Sequence, residues 1–220
     1  MLFDFSARAA QDCYKLLAST IVPRPIAWVA SVDEDGRPNL SAFSYFNILT
    51  NDPAVVAIGI STGEAGRTKD TLRNIRATGE FTVCLVSEPL AQQMNTTAID
   101  FPPGVDEMAI ARLRAAPSQF VRAPRVADSP VAMECVTHQL VPVGERWTIV
   151  LGRVLALYVR DDCVLDAKRH YVDTSKLQLV ARMHGRGWYA RTTDLYEIRR
   201  QTFADWNARE ASGSPAPDAA

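Results

Sequence analysis

The chain has only four cysteines, Cys13, Cys84, Cys135 and Cys163, and three histidines, His138, His170 and His184. No pair of cysteines stands as C-x-x-C and no histidines stand as H-x-x-H or H-E-x-x-H, so neither a zinc centre nor a redox dithiol is indicated and no metal is expected. Cys84 and Cys135 fall inside apolar, strand-like runs, where a cysteine behaves as a small hydrophobe. Glycine signatures are missing as well. No G-x-G-x-x-G follows a strand and no G-x-x-x-x-G-K-[ST] occurs, which excludes the Rossmann and P-loop routes to a nucleotide. No apolar run approaches the roughly 18 residues needed to cross a bilayer, so no membrane association is expected. The start, Met1-Leu2-Phe3-Asp4-Phe5, lacks the basic and apolar regions of a secretory signal, and a cytoplasmic location is expected. Charge of one sign is lacking too: 24 Lys and Arg face 25 Asp and Glu. A net charge of -1 leaves no general footprint for nucleic acid. Only the stretch holding Arg182, Arg186 and Arg191 is locally basic.

What is present is strand-rich. With 220 residues and 47% hydrophobic side chains, the chain reads as a single domain over residues 1–206. The tail 207–220, ending in ASGSPAPDAA, is small and polar and is expected to be disordered. Ala7 to Ser19 reads as an amphipathic helix. Ile26 to Val32, the turn cluster Asp33-Glu34-Asp35-Gly36 and the extended Pro38 to Phe43 form a β-hairpin. Pro53 to Ser61 is a further strand. Arg67, Thr68, Lys69, Asp70 and Thr71 then open a short helix with Leu72 and Ile75 on its apolar face, which Gly79 can close. Phe81 to Val86, Val131 to Val141 and Thr148 to Val159 are strands, the last two separated by a turn at Val143-Gly144-Glu145. Glu88-Pro89 starts a short helix that runs to about Asn95. Residues 100–130 hold five prolines and read as an irregular excursion containing one helix, Glu107 to Ala115. Five to seven strands in hairpin succession argue for a mainly β, mostly antiparallel barrel.

The helix start at Arg67–Thr71 carries the strongest chemical signal. Unpaired backbone N–H groups and the positive dipole end meet Arg67, Lys69 and two hydroxyls, a setting suited to a phosphate. A lysine is most often a solvated surface charge. Here a cation without an anionic partner would oppose the dipole.

The strings PRPIAWVASVDEDGRPNLSAFSYFN, RTKDTLRNI and GEFTVCLVSE, with VDTSKLQLVARMHGRGWYARTTDLYEI near the C-terminus, resemble the flavin reductase-like, FMN-binding split β-barrel family in its flavoredoxin-related branch. The resemblance covers most of residues 10–200. It implies an antiparallel, Greek-key split barrel that binds FMN, and a homodimer with the flavin near its interface. Carried over by position, it assigns Ser61, Arg67, Lys69 and Thr71 to the phosphate. Asn39, Ser41, Phe43, Ser44 and Asn47 become the isoalloxazine and ribityl segment, read as short polar residues in an irregular loop beside a barrel end that holds Phe43 and Phe46. Arg182 and Tyr189, with Gly185 and Gly187, match the family pattern near the flavin pocket. Asn74 stays unassigned between core and flavin, and Asp70 reads as a dipole-compensating residue. Two departures stand out. Met183-His184-Gly185-Arg186-Gly187-Trp188 is bulkier and more basic than the family's glycine turn, a solvated basic turn or a site for a phosphate of NAD(P)H. Val143-Gly144-Glu145-Arg146-Trp147 replaces the Gly-Asp-His of short-chain flavin reductases.

No nucleophile or carboxylate pair is conspicuous, as befits chemistry carried at flavin N5 with no protein-borne catalytic residue. The implied activity is an FMN-dependent NAD(P)H oxidoreductase of flavin reductase type, passing electrons from a nicotinamide nucleotide to an acceptor or a partner monooxygenase. The alternatives are an FMN-binding electron-transfer or carrier protein without appreciable NAD(P)H activity, and a barrel that has lost its cofactor.

Overall fold

The computed structural model describes residues 1–63, 66–185 and 187–212. Strands β1 (Ala27–Val32), β2 (Pro38–Phe43), β3 (Phe46–Asn51), β4 (Ala54–Ser61), β5 (Glu80–Leu85), β8 (Val131–Val143) and β9 (Trp147–Val159) form one sheet in the order β2-β1-β5-β8-β9-β4-β3, and every pairing in it is antiparallel. Three two-stranded ribbons accompany it: β6 (Ala115–Ala116) with β7 (Arg125–Val126), β10 (Val164–Asp166) with β11 (Tyr171–Val172), and β12 (Val180–Arg182) with β13 (Tyr189–Arg191). The helices are α1 (Ala10–Thr20), α2 (Asp70–Thr78), α3 (Ala91–Thr97), α4 (Glu107–Ile110) and α5 (Phe203–Ser212). None of them is long and apolar enough to cross a membrane.

β1 explains the architecture. Side chains alternate between faces along a strand, yet all six residues of β1 are buried. Trp28 and Ala30 join one core with Leu40, Cys84, Met94 and Met108. Ala27 and Val29 join a second with Ile58, Ile75, Phe81 and Val150. A strand buried on both faces reads as a continuous apolar run, which is how AWVASV appears in the sequence.

Curvature comes from the long β8–β9 hairpin. Its register shifts between Glu134 and Cys135 and again between Thr137 and Gln139, and such bulges bend and twist a ladder. Gly152 on β9 lets the two walls close. A Cβ built there would stand 2.3 Å from Cζ of the buried Phe81. The curl carries β2 and β3, consecutive in the chain, to opposite edges of the sheet, joined only by Ser44 and Tyr45. The result is the split, antiparallel barrel.

Several elements differ from the sequence reading. β3 lies where an irregular loop is expected, because Asn47, Ile48, Thr50 and Asn51 find ladder partners on β4. α4 ends at Ile110, where the chain turns through Arg112 at φ 54 and on to the β6–β7 ribbon. At the C-terminus α5 crosses Asn207, where composition places the start of a tail. Its local signals were there to read. Thr202 and Asp205 exchange hydrogen bonds as a capping box does, and Phe203 stacks on Trp206 at 5.9 Å. Residues 213–220 of the expected tail, and Arg186 of the basic turn, lie outside the described residues.

Candidate functional site

The loop from β4 delivers Arg67 and Lys69 to the start of α2, with Lys69 at the N-cap position. Lys69 offers no side-chain acceptor, and no side-chain cap is present there among the described residues. The nine-residue helix closes at Gly79 in the left-handed conformation, φ 72, as glycine allows. Around its start Asn39, Ser41, Arg67, Lys69, Asp70, Thr71 and Glu107 line a polar recess of about 20 Å³, with Ile99, Asp100 and Phe101 forming its outer wall. Five positions singled out by the sequence therefore converge: Asn39, Ser41, Arg67, Lys69 and Thr71.

Their hydrogen bonds divide the labour. Thr71 is 1% exposed and its hydroxyl donates to Asn39 Oδ1 at 2.8 Å. Asn39 Nδ2 in turn donates to Glu107 Oε1 at 2.9 Å, and the Leu40 backbone N–H donates to Oε2 at 3.0 Å. Asn39 and Thr71 thus form a braced inner floor, while Ser41, Arg67 and Lys69 keep the more accessible positions. Arg67 donates to the Phe101 carbonyl at 3.0 Å. The Asp100 carboxylate stands 3.8 Å from Arg67 and 3.7 Å from Lys69. Of the three carboxylates lining the recess, Asp70 pairs with Arg73 at 2.8 Å and Glu107 accepts from Asn39 and Leu40, so Asp100 is the one set against the two cations and the uncapped helix start, a donor set that suits an added anion. Burial pushes the Glu107 carboxyl above its usual range, with the bonds from Leu40 and Asn39 pulling the other way.

A second region lies farther along β2. At about 3.3 Å per residue, Ser44 comes roughly 10 Å beyond Ser41. The corner Ser44–Asn47 separates two largely apolar cavities. One, about 290 Å³, is walled by Leu17, Ile21, Pro23, Pro25 and Phe46 together with Arg24 and Ser44. The other, about 430 Å³, lies over Ala57, Gly59 and Ile149 beside Trp147, whose ring stacks on Tyr45 at 5.2 Å. Asn47 borders both, with its Oδ1 accepting the Ile48 N–H.

Four sequence candidates go elsewhere. Phe43 is packed into the core. Ser61 ends β4 opposite Trp147 and does not line the recess. Arg182 and Tyr189 face each other across the β12–β13 ribbon, the guanidinium 4.9 Å from the ring centroid. Arg182 is nevertheless tied to the corner, since its backbone pairs in both directions with Arg24.

The sequence reading passed over Arg24, Asp100 and Glu107. Arg24 had a visible signal, a charged residue between two prolines at the head of a buried strand. Asp100 and Glu107 had none, being single acids in a stretch without periodicity.

Residues 18–175 match the flavin reductase like domain. The chain belongs to the flavin reductase-like family. Among relatives of this family, an uncharacterized protein of Deinococcus radiodurans is 46% identical over 208 residues, covering 93% of this chain and 91% of its own. Among solved structures, nitrilotriacetate monooxygenase component B from Bacillus cereus superposes with a TM-score of 0.84 at 30% identity, over 90% of this chain and 98% of that one. The 2-nitrobenzoate 2-nitroreductase of Pseudomonas fluorescens gives 0.84 at 29% identity, over 92% and 98%. The split-barrel fold expected from the flavin reductase-like resemblance is therefore the fold found.

Proposed function

We propose that this flavin reductase-like protein binds FMN and acts as an NAD(P)H-dependent flavin reductase, delivering electrons to an acceptor or a partner oxygenase. The observation that carries the reading is the convergence of Ser41, Arg67 and Lys69 on an uncapped helix start, braced by Asn39 and Thr71. Within a flavin reductase-like fold, that recess suits a phosphate, and the Ser44–Asn47 corner suits a flat ring. The Bacillus relative is a monooxygenase component, which supports a partner oxygenase.

A bound flavin would supply hydride acceptance and onward electron transfer, and the protein's own part would be to bind and orient. Lys69 and Arg67 would hold its phosphate with charge-assisted hydrogen bonds, taking the place of the Asp100 carboxylate that stands near them. Glu107 fixes the Asn39 amide so that its Oδ1 faces Thr71. The apolar walls beside Tyr45 and Phe46 would exclude water from the ring.

The test is a titration of apoprotein with FMN and with riboflavin, which has the same ring and no phosphate. Lys69→Ala is expected to weaken FMN by about 1.5 to 3 kcal/mol, roughly ten- to a hundredfold, and riboflavin far less. Equal losses for both would place Lys69 outside the phosphate site. Stopped-flow bleaching of the flavin by NADH or NADPH is then expected to be fast. Flavin binding without bleaching would mark an electron carrier instead.

A further inference from the structure

Arg24 carries a charge that no carboxylate among the described residues neutralises. It is 6% exposed. Its Nη1 donates to the carbonyls of Ala18, at 2.7 Å, and Ile21, at 2.9 Å, at the end of α1. Nη2 donates to the Met183 carbonyl at 2.9 Å, and Nε reaches Ser44 Oγ at 3.5 Å. These acceptors are all uncharged, and among the described residues Arg24 makes no ion pair with a carboxylate. Buried charges are ordinarily paired, because an unpaired one costs far more than its hydrogen bonds return. The carbonyls at the C-terminal end of α1 meet part of that cost through the helix dipole. The long contact to Ser44 does not, and Arg24 and Ser44 both line the 290 Å³ cavity with apolar walls. The site is therefore an apolar slot with one fixed positive group and two short polar side chains, Ser44 and Asn47, at its rim. A flat, electron-rich ring with an anionic edge is the ligand such a slot fits.

We propose that Arg24 is the cation facing the flavin ring in this cavity, where it holds the negative charge that the ring gains on reduction. The proposal rests on the flavin reading above and adds a residue that the sequence did not assign. The same residue ties the corner bearing Ser44 to the β12–β13 ribbon bearing Arg182, so the two segments that the family resemblance places at the ring meet at one guanidinium.

The experiment titrates apoprotein with oxidised FMN in air and with dithionite-reduced FMN under nitrogen. Wild type is expected to bind the reduced form at least tenfold more tightly, which for a two-electron couple places bound FMN about 30 mV above free FMN. Arg24→Gln, which keeps hydrogen-bonding capacity and removes the charge, should abolish that preference, and Arg24→Lys should retain most of it. Both variants loosen the grip on α1, so both should melt earlier. A residue that only clamps α1 would give that shared loss and leave the ratio of the two affinities unchanged. Equal binding of both forms by wild type, or a preference surviving in Arg24→Gln, overturns the proposal while leaving FMN binding intact. Should Arg24→Gln not fold, the wild-type ratio decides alone. Wild-type protein that takes up flavin in neither form would instead overturn the flavin reading beneath it.

Discussion

Glu107 shows how a single buried carboxylate can brace the polar side chains of a recess. Both its partners are donors, Asn39 Nδ2 and the Leu40 N–H, and they favour the ionised form. Burial opposes them and wins, so the folded-state value lies above the ordinary 4.5. The folded chain then holds the proton more tightly than the unfolded one. Its stabilising effect is complete below the unfolded value and is lost as pH rises through the folded one. Wild type should therefore gain stability relative to Glu107→Gln as pH falls from neutrality to about 4.5, as read by urea midpoints at several pH values; a difference independent of pH would assign the titration to another group. At this scale the sequence was legible where chemistry was concentrated. Arg67, Lys69 and Thr71 sit within one helix start and could be found together. Glu107 and Asn39 are 68 residues apart, and nothing in either neighbourhood points to the other. Phe43, packed in the core, stood between two readings, because an aromatic beside polar residues reads equally as a ring partner or as core.

Elements were legible to the extent that their signals were local. The β1–β2 hairpin announces itself through Asp33–Gly36, and α2 through its apolar spacing and closing glycine. β3 did not, since Asn47 and Asn51 have low strand preference and are held there by β4. The β8–β9 hairpin was visible, but its role in shaping the barrel depends on Gly152 meeting Phe81, a contact between strands distant in sequence. Gly152→Ala should force the buried ring to shift and cost about 1 to 3 kcal/mol. For a chain of this size that lowers the melting temperature by roughly 2 to 4 °C per kcal/mol, measurable by calorimetry. An unchanged melting temperature would mean that Phe81 yields freely.

At the scale of the whole molecule, the sheet leaves apolar surface at one edge. Ile48 and Leu49 on β3 are 65% and 55% exposed, next to the cavity that holds Tyr45 and Trp147. Such an edge is a template for association unless it is covered. A homodimer covering it is the expected state, and light scattering at micromolar concentration should report twice the 24.2 kDa of one chain. A monomer with bound flavin would rule that out. Replacing Leu49 by Lys should shift the population towards monomer.

The corner between β2 and β3 has one further consequence. Phe43 ends one edge strand and Phe46 begins the other, so the linked ends of the two edges can never stand more than about 11 Å apart, the reach of three residues. There is no slack in that stretch to swing aside. The corner is a bracket and cannot serve as a door. If a flavin ring binds beside it as proposed, its dwell time would be set by the grip of the walls and the phosphate anchor, not by the opening and closing of this segment.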